Sequence, residues 1–134
     1  MLYETSQLST SNTTLNNCII ESFGIHARCL RDFLFNMKRE KNDDMLAVDF
    51  LDNITDWKQH IMQNKRILEN LDKRVGKELA HLTYERVGKT SQEKHWPKNK
   101  IVNDINIILR EFLKAVPSER LCEELIMLKN SVGQ

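Results

Sequence analysis

Turn-forming residues are scarce in this sequence. Four glycines and two prolines are spread over 134 residues, too few for the many tight turns that a chain of β-strands needs. Apolar residues instead recur at three- and four-residue steps along most of the chain, which is the spacing of one face of an α-helix. The sequence therefore predicts an all-α fold.

Several stretches carry this periodicity. We expect helices at about 13–39, 55–88, 97–115 and from Ser118 onward, with a short helix near 44–52. The stretch 55–88 contains a polar run at 63–66 but no strong helix breaker there, so it is either one helix or two. Short loops between helices favour antiparallel neighbours, and the prediction is an antiparallel bundle of five or six helices.

The length suits one domain with a single core. We assign residues 13–130 to this domain and residues 1–12, rich in Ser, Thr and Asn, to a flexible lead-in. The start lacks a basic stretch followed by an apolar run, and no segment approaches 18 uninterrupted apolar residues, so neither a secretory signal nor a membrane span is predicted. Three widely spaced cysteines favour a reducing compartment. We expect a cytoplasmic protein without a membrane partner.

Charge is distributed unevenly along the chain, although the net charge is only +1. Residues 40–56 contain six acidic side chains and one lysine, whereas residues 57–100 contain eleven Lys and Arg against five Asp and Glu. An acidic segment followed by a basic one is typical of a partner surface. Solvated helix faces give the same counts, and this alternative stays open.

The acidic residues of 40–56 have two interpretations. Their carboxylates could form a divalent-metal cluster, or they could cap helices and favour helix N-termini. We favour capping, because Asn53 followed by Asp56 resembles a capping box that opens a helix at Ile54 or Thr55. His60 and His95 fall outside the spacings of known zinc motifs. The sequence indicates neither a metal nor a cofactor.

Arg74 and His81 form the one pair with a chemical interpretation. On a helix, their seven-residue separation places them about 20° apart around the axis, two turns from each other, at the edge of an apolar stripe. A histidine can act as acid or base on a ribose 2′-hydroxyl while an arginine holds the phosphate. The alternative is structural: His81 packs at the stripe's edge, and Arg74 pairs with Glu78 four residues on.

The string Lys77–Thr83, Lys-Glu-Leu-Ala-His-Leu-Thr, preceded by Arg74, resembles the signature of HEPN-type all-helical domains. In that family an arginine stands four to six residues ahead of a histidine, late in the bundle. An upstream helix like 21–33 accompanies a similar string in many bacterial helical proteins. The family string would have arginine at Val75 and a polar residue at Gly76, so Arg74 stands one position away from the pattern.

The resemblance implies a helical bundle that is often a homodimer. Some members are metal-independent endoribonucleases, commonly in toxin–antitoxin or phage-defence settings, and others are not catalytic. In this chain the resemblance makes His81 the acid or base and Arg74 the phosphate clamp.

Basic residues crowd the region around and beyond His81, together with His95 and Trp96. A basic loop with an aromatic side chain suits single-stranded nucleic acid, through phosphate contacts and base stacking. The alternative is a solvated loop whose Trp96 folds inward to cap the next helix. The candidate nucleic-acid-binding residues are Lys77, Arg86, Lys89, Lys94 and Lys98.

Two functions follow from these patterns. The first is a HEPN-like helical protein that binds RNA or a partner protein, with weak metal-independent endoribonuclease activity as its enzymatic form. The second is an interaction module without RNA chemistry, antitoxin-like or regulatory, which uses the acidic segment 40–56 against a basic partner.

Overall fold

A computed structural model of the protein describes residues 1–64, 71–75 and 95–132. Within these ranges the secondary structure is helical and contains no strand, which confirms the prediction of an all-α fold. The basic loop predicted beyond His81 and most of the second half of the predicted segment 55–88 lie outside the described residues.

The longest described helix is α2, Thr13–Phe35. The Asn12 side chain caps its start by accepting a hydrogen bond from the backbone N–H of Leu15, at 3.1 Å. We expected this helix to continue to residue 39. It ends earlier because Asn36 adopts an extended conformation while its N–H closes the last turn on the Asp32 carbonyl.

A short helix, α1, spans Leu2–Gln7, where the sequence predicts an irregular lead-in. It forms because it packs against helix α2 and against α5, the helix at Lys98–Ala115. Leu2 contacts the core and Ser6 is buried. Tertiary packing therefore overrides the weak helical tendency of this polar segment.

The predicted short helix near 44–52 is a single 3₁₀ turn at Ala47–Phe50. The Asp49 carboxylate folds back to accept a hydrogen bond from the Leu46 N–H at 2.9 Å, which closes the turn. The next helix, α3, spans Ile54–Asn64. Asn53 caps it by accepting a hydrogen bond from the Asp56 N–H at 3.1 Å, so the predicted capping position is confirmed.

Helix α4 covers Leu71–Arg74, and helix α5 follows Trp96-Pro97. Two contacts show where the ends of successive helices meet. Trp57, near the start of α3, donates a hydrogen bond to the carbonyl of Leu34 at the end of α2. Arg74, at the end of α4, contacts Trp96 just before α5. The start of α3 therefore lies at the end of α2, and the end of α4 lies at the start of α5.

The core lies between α2 and α5. The aromatic rings of Phe33, Phe50, Phe112 and Trp57 meet at the C-terminal ends of these two helices, with centroid separations of 5.3 to 6.4 Å. Offset and edge-on ring contacts of this kind add to the free energy gained by burial. Buried apolar side chains from these elements, the first being Phe23 in α2 and the last Val116 just after α5, form one hydrophobic cluster.

The predicted last helix begins later than Ser118. Residues Ser118–Arg120 form a 3₁₀ turn, and helix α6 spans Glu123–Val132. The Lys129 ammonium donates a hydrogen bond to the carbonyl of Val116, which fixes α6 against the end of α5. Among the described residues, no helix combines the length and the apolar character that crossing a lipid bilayer requires.

Candidate functional site

Arg74 is the one member of the predicted catalytic pair that the structure describes. Its guanidinium carbon lies 4.4 Å from the ring centroid of Trp96, which is a cation–π distance. Trp96 is buried, whereas Arg74 is half-buried. The indole therefore forms a rigid floor beneath a guanidinium at the rim of the bundle.

The same guanidinium connects two distant parts of the chain. Its Nη2 donates a hydrogen bond to the backbone carbonyl of His95, at 3.1 Å. Val75 and His95 are the described residues on either side of segment 76–94, and this hydrogen bond joins His95 to the residue that precedes Val75. His95 itself is exposed.

Most of the other predicted site residues lie outside the part of the chain that the structure describes. His81, Lys77, Arg86, Lys89 and Lys94 all belong to segment 76–94 and lie outside the described residues. Their roles stay predictions.

Lys98 has a structural contact. Its ammonium donates hydrogen bonds to the carbonyls of Leu8 and Thr5, at 2.6 and 3.4 Å. These carbonyls belong to the end of α1, where a helix leaves acceptors without partners and favours positive charge. Lys98 thus attaches α1 to the start of α5, and its predicted nucleic-acid contact stays a prediction.

A cleft at the opposite end of the bundle was not predicted. It has a volume of about 360 Å³, near the lower end of the range for small-ligand pockets. The cleft lies between α3 and α5 and has an aromatic and aliphatic floor with an ionisable rim. Its lining residues are Leu51, Asn53, Asp56, Trp57, His60, Glu111, Lys114 and Ala115.

His60 stacks on Trp57 inside this cleft, with ring centroids 5.4 Å apart and planes inclined by 19°. The Asn64 amide nitrogen lies 3.4 Å from His60 Nε2 and donates a hydrogen bond to the His60 carbonyl at 2.9 Å. Across the cleft, Lys114 pairs with Glu111 at 2.8 Å. The ionisable side chains of the rim are therefore held by local partners.

The sequence contained only part of the signal for this cleft. Trp57 and His60 are three residues apart and share a helix face, as do Glu111 and Lys114. Nothing in either pair indicates the other, because they lie about fifty residues apart in sequence. Only the packing of α3 against α5 brings them together.

The acidic residues of 40–56 mostly serve local structure. Asp44 accepts hydrogen bonds from the N–H groups of Glu40 and Lys41. Asp49 pairs with Arg39 at 2.5 Å, and Asp52 pairs with Arg120 at 2.6 Å. Within the described ranges, no group of three or more His, Cys, Asp or Glu side chains is placed to hold a metal ion.

Comparison with known protein families, with curated proteins and with solved structures finds no match to this chain. The geometry around Arg74 and the residues that flank it are therefore the main guide to function among the described residues.

Proposed function

We propose that this protein binds single-stranded RNA at its Arg74 end and resembles HEPN-type domains in using an arginine and a histidine there. The observation that carries the proposal is the hydrogen bond between Arg74 and the His95 carbonyl. It joins the described residues that precede and follow segment 76–94, and the sequence of that segment contains His81 together with Lys77, Arg86, Lys89 and Lys94.

The basic residues of this region favour an anionic ligand such as RNA. Each Lys or Arg that neutralises a phosphate releases a condensed counterion, so several basic residues near one site give affinity that falls steeply with salt. Arg74 adds a guanidinium whose orientation is fixed by Trp96, and a planar guanidinium matches the geometry of phosphate oxygens. The acidic segment 40–56 is less suited to a basic partner, because Asp44, Asp49 and Asp52 already have partners within the chain.

The reaction that this pair of residues suits is metal-independent cleavage of RNA. His81 would take the proton from a ribose 2′-hydroxyl, whose oxygen attacks the adjacent phosphorus. Arg74 would hold the phosphate and stabilise its developing negative charge. The bond to the 5′-oxygen breaks, that oxygen takes up a proton, and the other fragment ends in a 2′,3′-cyclic phosphate.

Binding is tested by fluorescence anisotropy with a labelled, unstructured RNA of about 20 nucleotides at several salt concentrations. The double variant Lys89→Glu/Lys94→Glu should weaken binding at least about tenfold and reduce the salt dependence. Lys58→Glu/Arg110→Glu is a matched control with the same change in net charge, because Lys58 on α3 and Arg110 on α5 are exposed near the opposite end of the bundle. Equal losses in both variants, or no binding by the native chain, would reject RNA as the ligand and favour the interaction module.

Cleavage is tested separately with the same RNA in the presence of a metal chelator. We expect His81→Ala to abolish formation of the cyclic phosphate end while leaving binding within about twofold of the native chain. Cleavage that survives the His81 substitution would come from another residue or from a contaminating nuclease. If the native chain binds the RNA without cleaving it, the protein is of the non-catalytic HEPN-like type.

A further inference from the structure

The cleft between α3 and α5 takes no part in the proposed RNA site. It lies at the other end of the bundle from Arg74 and has a volume of about 360 Å³. Ligand pockets are concave, mostly apolar and equipped with a few polar groups that fix the orientation of the ligand. This cleft has both kinds of surface, so it is a candidate for a second binding site.

The floor of the cleft is a pair of stacked rings. The His60 imidazole lies on the Trp57 indole, with centroids 5.4 Å apart and planes inclined by 19°. Trp57 is buried and packs edge-on against Phe112, at 5.8 Å, whereas His60 is half-buried at the surface of the cleft. One face of the imidazole is therefore supported from behind, and a flat ring can stack on the other face.

The charged rim of the cleft favours a cation. Its ionisable side chains are the carboxylates of Asp56 and Glu111 and the ammonium of Lys114. With His60 neutral, two negative charges and one positive charge give the lining a net charge of −1. A cation therefore meets net attraction in this cleft, and an anion meets net repulsion.

Both carboxylates have an oxygen available to a ligand. Lys114 contacts Oε1 of Glu111 at 2.8 Å, and the Asn53 amide donates a hydrogen bond to Oδ2 of Asp56 at 2.6 Å. Among the described residues, nothing donates a hydrogen bond to Oε2 of Glu111 or to Oδ1 of Asp56. An ammonium has three N–H donors and forms strong hydrogen bonds with carboxylates. The pairing of Lys114 with Glu111 opposes this only weakly, because the two side chains are 45% and 39% exposed.

We propose that this cleft binds a small organic cation in which an aromatic ring carries a short aminoalkyl arm. The ring stacks on His60, and the ammonium donates hydrogen bonds to Asp56 and Glu111. Asp56 and His60 are four residues apart on α3, so their Cβ atoms are about 5–6 Å from each other, a distance that a two-carbon arm spans. This binding does not depend on the proposed RNA function.

Binding is tested by NMR titration of the full chain with three probes. Tryptamine has the ring, the two-carbon arm and the ammonium, whereas indole-3-acetate carries an anion in place of the cation and butylamine lacks the ring. Tryptamine should bind with a dissociation constant on the order of 0.1–1 mM, as expected for a ligand of about twelve non-hydrogen atoms. The other two probes should bind at least about tenfold more weakly. The amide signals that move should belong to residues 53–60 and 111–115.

Three results would overturn the proposed site. Equal affinity for tryptamine and indole-3-acetate shows that charge does not select the ligand. Equal affinity for tryptamine and butylamine shows that the ring does not contribute. If tryptamine leaves the signals of the cleft unmoved at about ten times the expected dissociation constant, the cleft does not bind this class of ligand.

Variants of the rim test the sign of the charge. Glu111→Gln should raise the dissociation constant of tryptamine at least about threefold, whereas Lys114→Gln should lower it, because the two substitutions change the charge of the cleft in opposite directions. Glu4→Gln is the matched control and should leave the constant within about twofold, because Glu4 is 80% exposed on α1, away from the cleft. Equal effects of Glu4→Gln and Glu111→Gln, or a constant that does not fall in Lys114→Gln, contradict the proposal. The amide spectra of the variants establish that the fold is retained.

Discussion

The indole nitrogen of Trp57 donates a buried hydrogen bond to the backbone carbonyl of Leu34, at 3.2 Å. This carbonyl belongs to the last turn of α2, where helix acceptors have no partner within the helix. Trp57→Phe removes the donor and part of the ring. We expect the free energy of unfolding to fall by about 2–3 kcal/mol, measured by urea denaturation.

Trp96→Phe provides the comparison for that variant. It removes the same atoms from a buried indole, but in the described part of the chain the Trp96 nitrogen has no hydrogen bond. The free energy of unfolding should therefore fall by about 1 kcal/mol more in the Trp57 variant than in the Trp96 variant. Equal losses would mean that the hydrogen bond to Leu34 contributes no more than the part of the Arg74–Trp96 cation–π contact that the comparison variant removes.

Asn53 caps helix α3, because its side chain accepts a hydrogen bond from the N–H of Asp56 and donates one to the Asp56 carboxylate at 2.6 Å. Asn53→Ala should lower the free energy of unfolding by about 1 kcal/mol. Asn106→Ala, at an exposed position within α5, should be neutral or slightly stabilising, because alanine is the better helix former there. Thermal unfolding followed at 222 nm compares the two.

Lys98→Met should release α1 from the start of α5. The ammonium no longer satisfies the carbonyls of Leu8 and Thr5, and we expect backbone amides of residues 2–8 to exchange with deuterium at least about tenfold faster. Lys100→Met is the control, because Lys100 is largely exposed and pairs only with Asp104 on its own helix. Unchanged exchange in the Lys98 variant would show that apolar packing alone holds α1.

RNA affinity of the same two variants tests the predicted nucleic-acid role of Lys98. If its charge serves only to hold α1, the Lys98 and Lys100 variants should lose similar affinity. A markedly larger loss for Lys98→Met would indicate a phosphate contact at this position.

Arg74→Lys keeps the positive charge but replaces the planar guanidinium. A lysine cannot reproduce both the stacking on Trp96 and the hydrogen bond to the His95 carbonyl. We expect faster hydrogen exchange at residues 95–97 and a loss of about 1 kcal/mol in the free energy of unfolding. Arg110→Lys, on the exposed side of α5, should change neither quantity.

Glu124 provides a prediction about pH. Hydrogen bonds from its own backbone N–H and from the Cys122 side chain lower the pKa of its carboxyl. The carboxylate therefore stabilises the start of α6 at neutral pH, and this contribution is lost as the pH falls through the lowered pKa. NMR titration of Glu124 should show an upward movement of its midpoint in Cys122→Ala. An unmoved midpoint would mean that the Cys122 contact is not formed in solution.

The helical class and several helix starts could be predicted from sequence because local chemistry determines them. Asn12 and Asn53 precede apolar-periodic runs, and each one caps the helix that follows. Pro97 precedes α5 directly, where a residue without an N–H is tolerated. These signals extend over only a few residues, so the rest of the fold does not alter them.

The remaining features depend on contacts between distant residues. Helix α1 forms against α2 and α5, and the periodicity of its own sequence is too short to indicate it. The contact of Arg74 with His95 crosses a segment of twenty residues, and the cleft joins His60 to Glu111 from two helices. No local sequence pattern indicates which distant residues meet. Arg74 could therefore be identified as a candidate from the sequence, but its contacts with His95 and Trp96 could not.

The stacking of His60 on Trp57 gives the cleft an optical signal of its own. In a Trp96→Phe background Trp57 is the only indole of the chain, so its emission reports on the surroundings of the cleft alone. A small molecule that enters the cleft and separates the two rings would change that emission, so a plate reader could screen this end of the bundle for ligands.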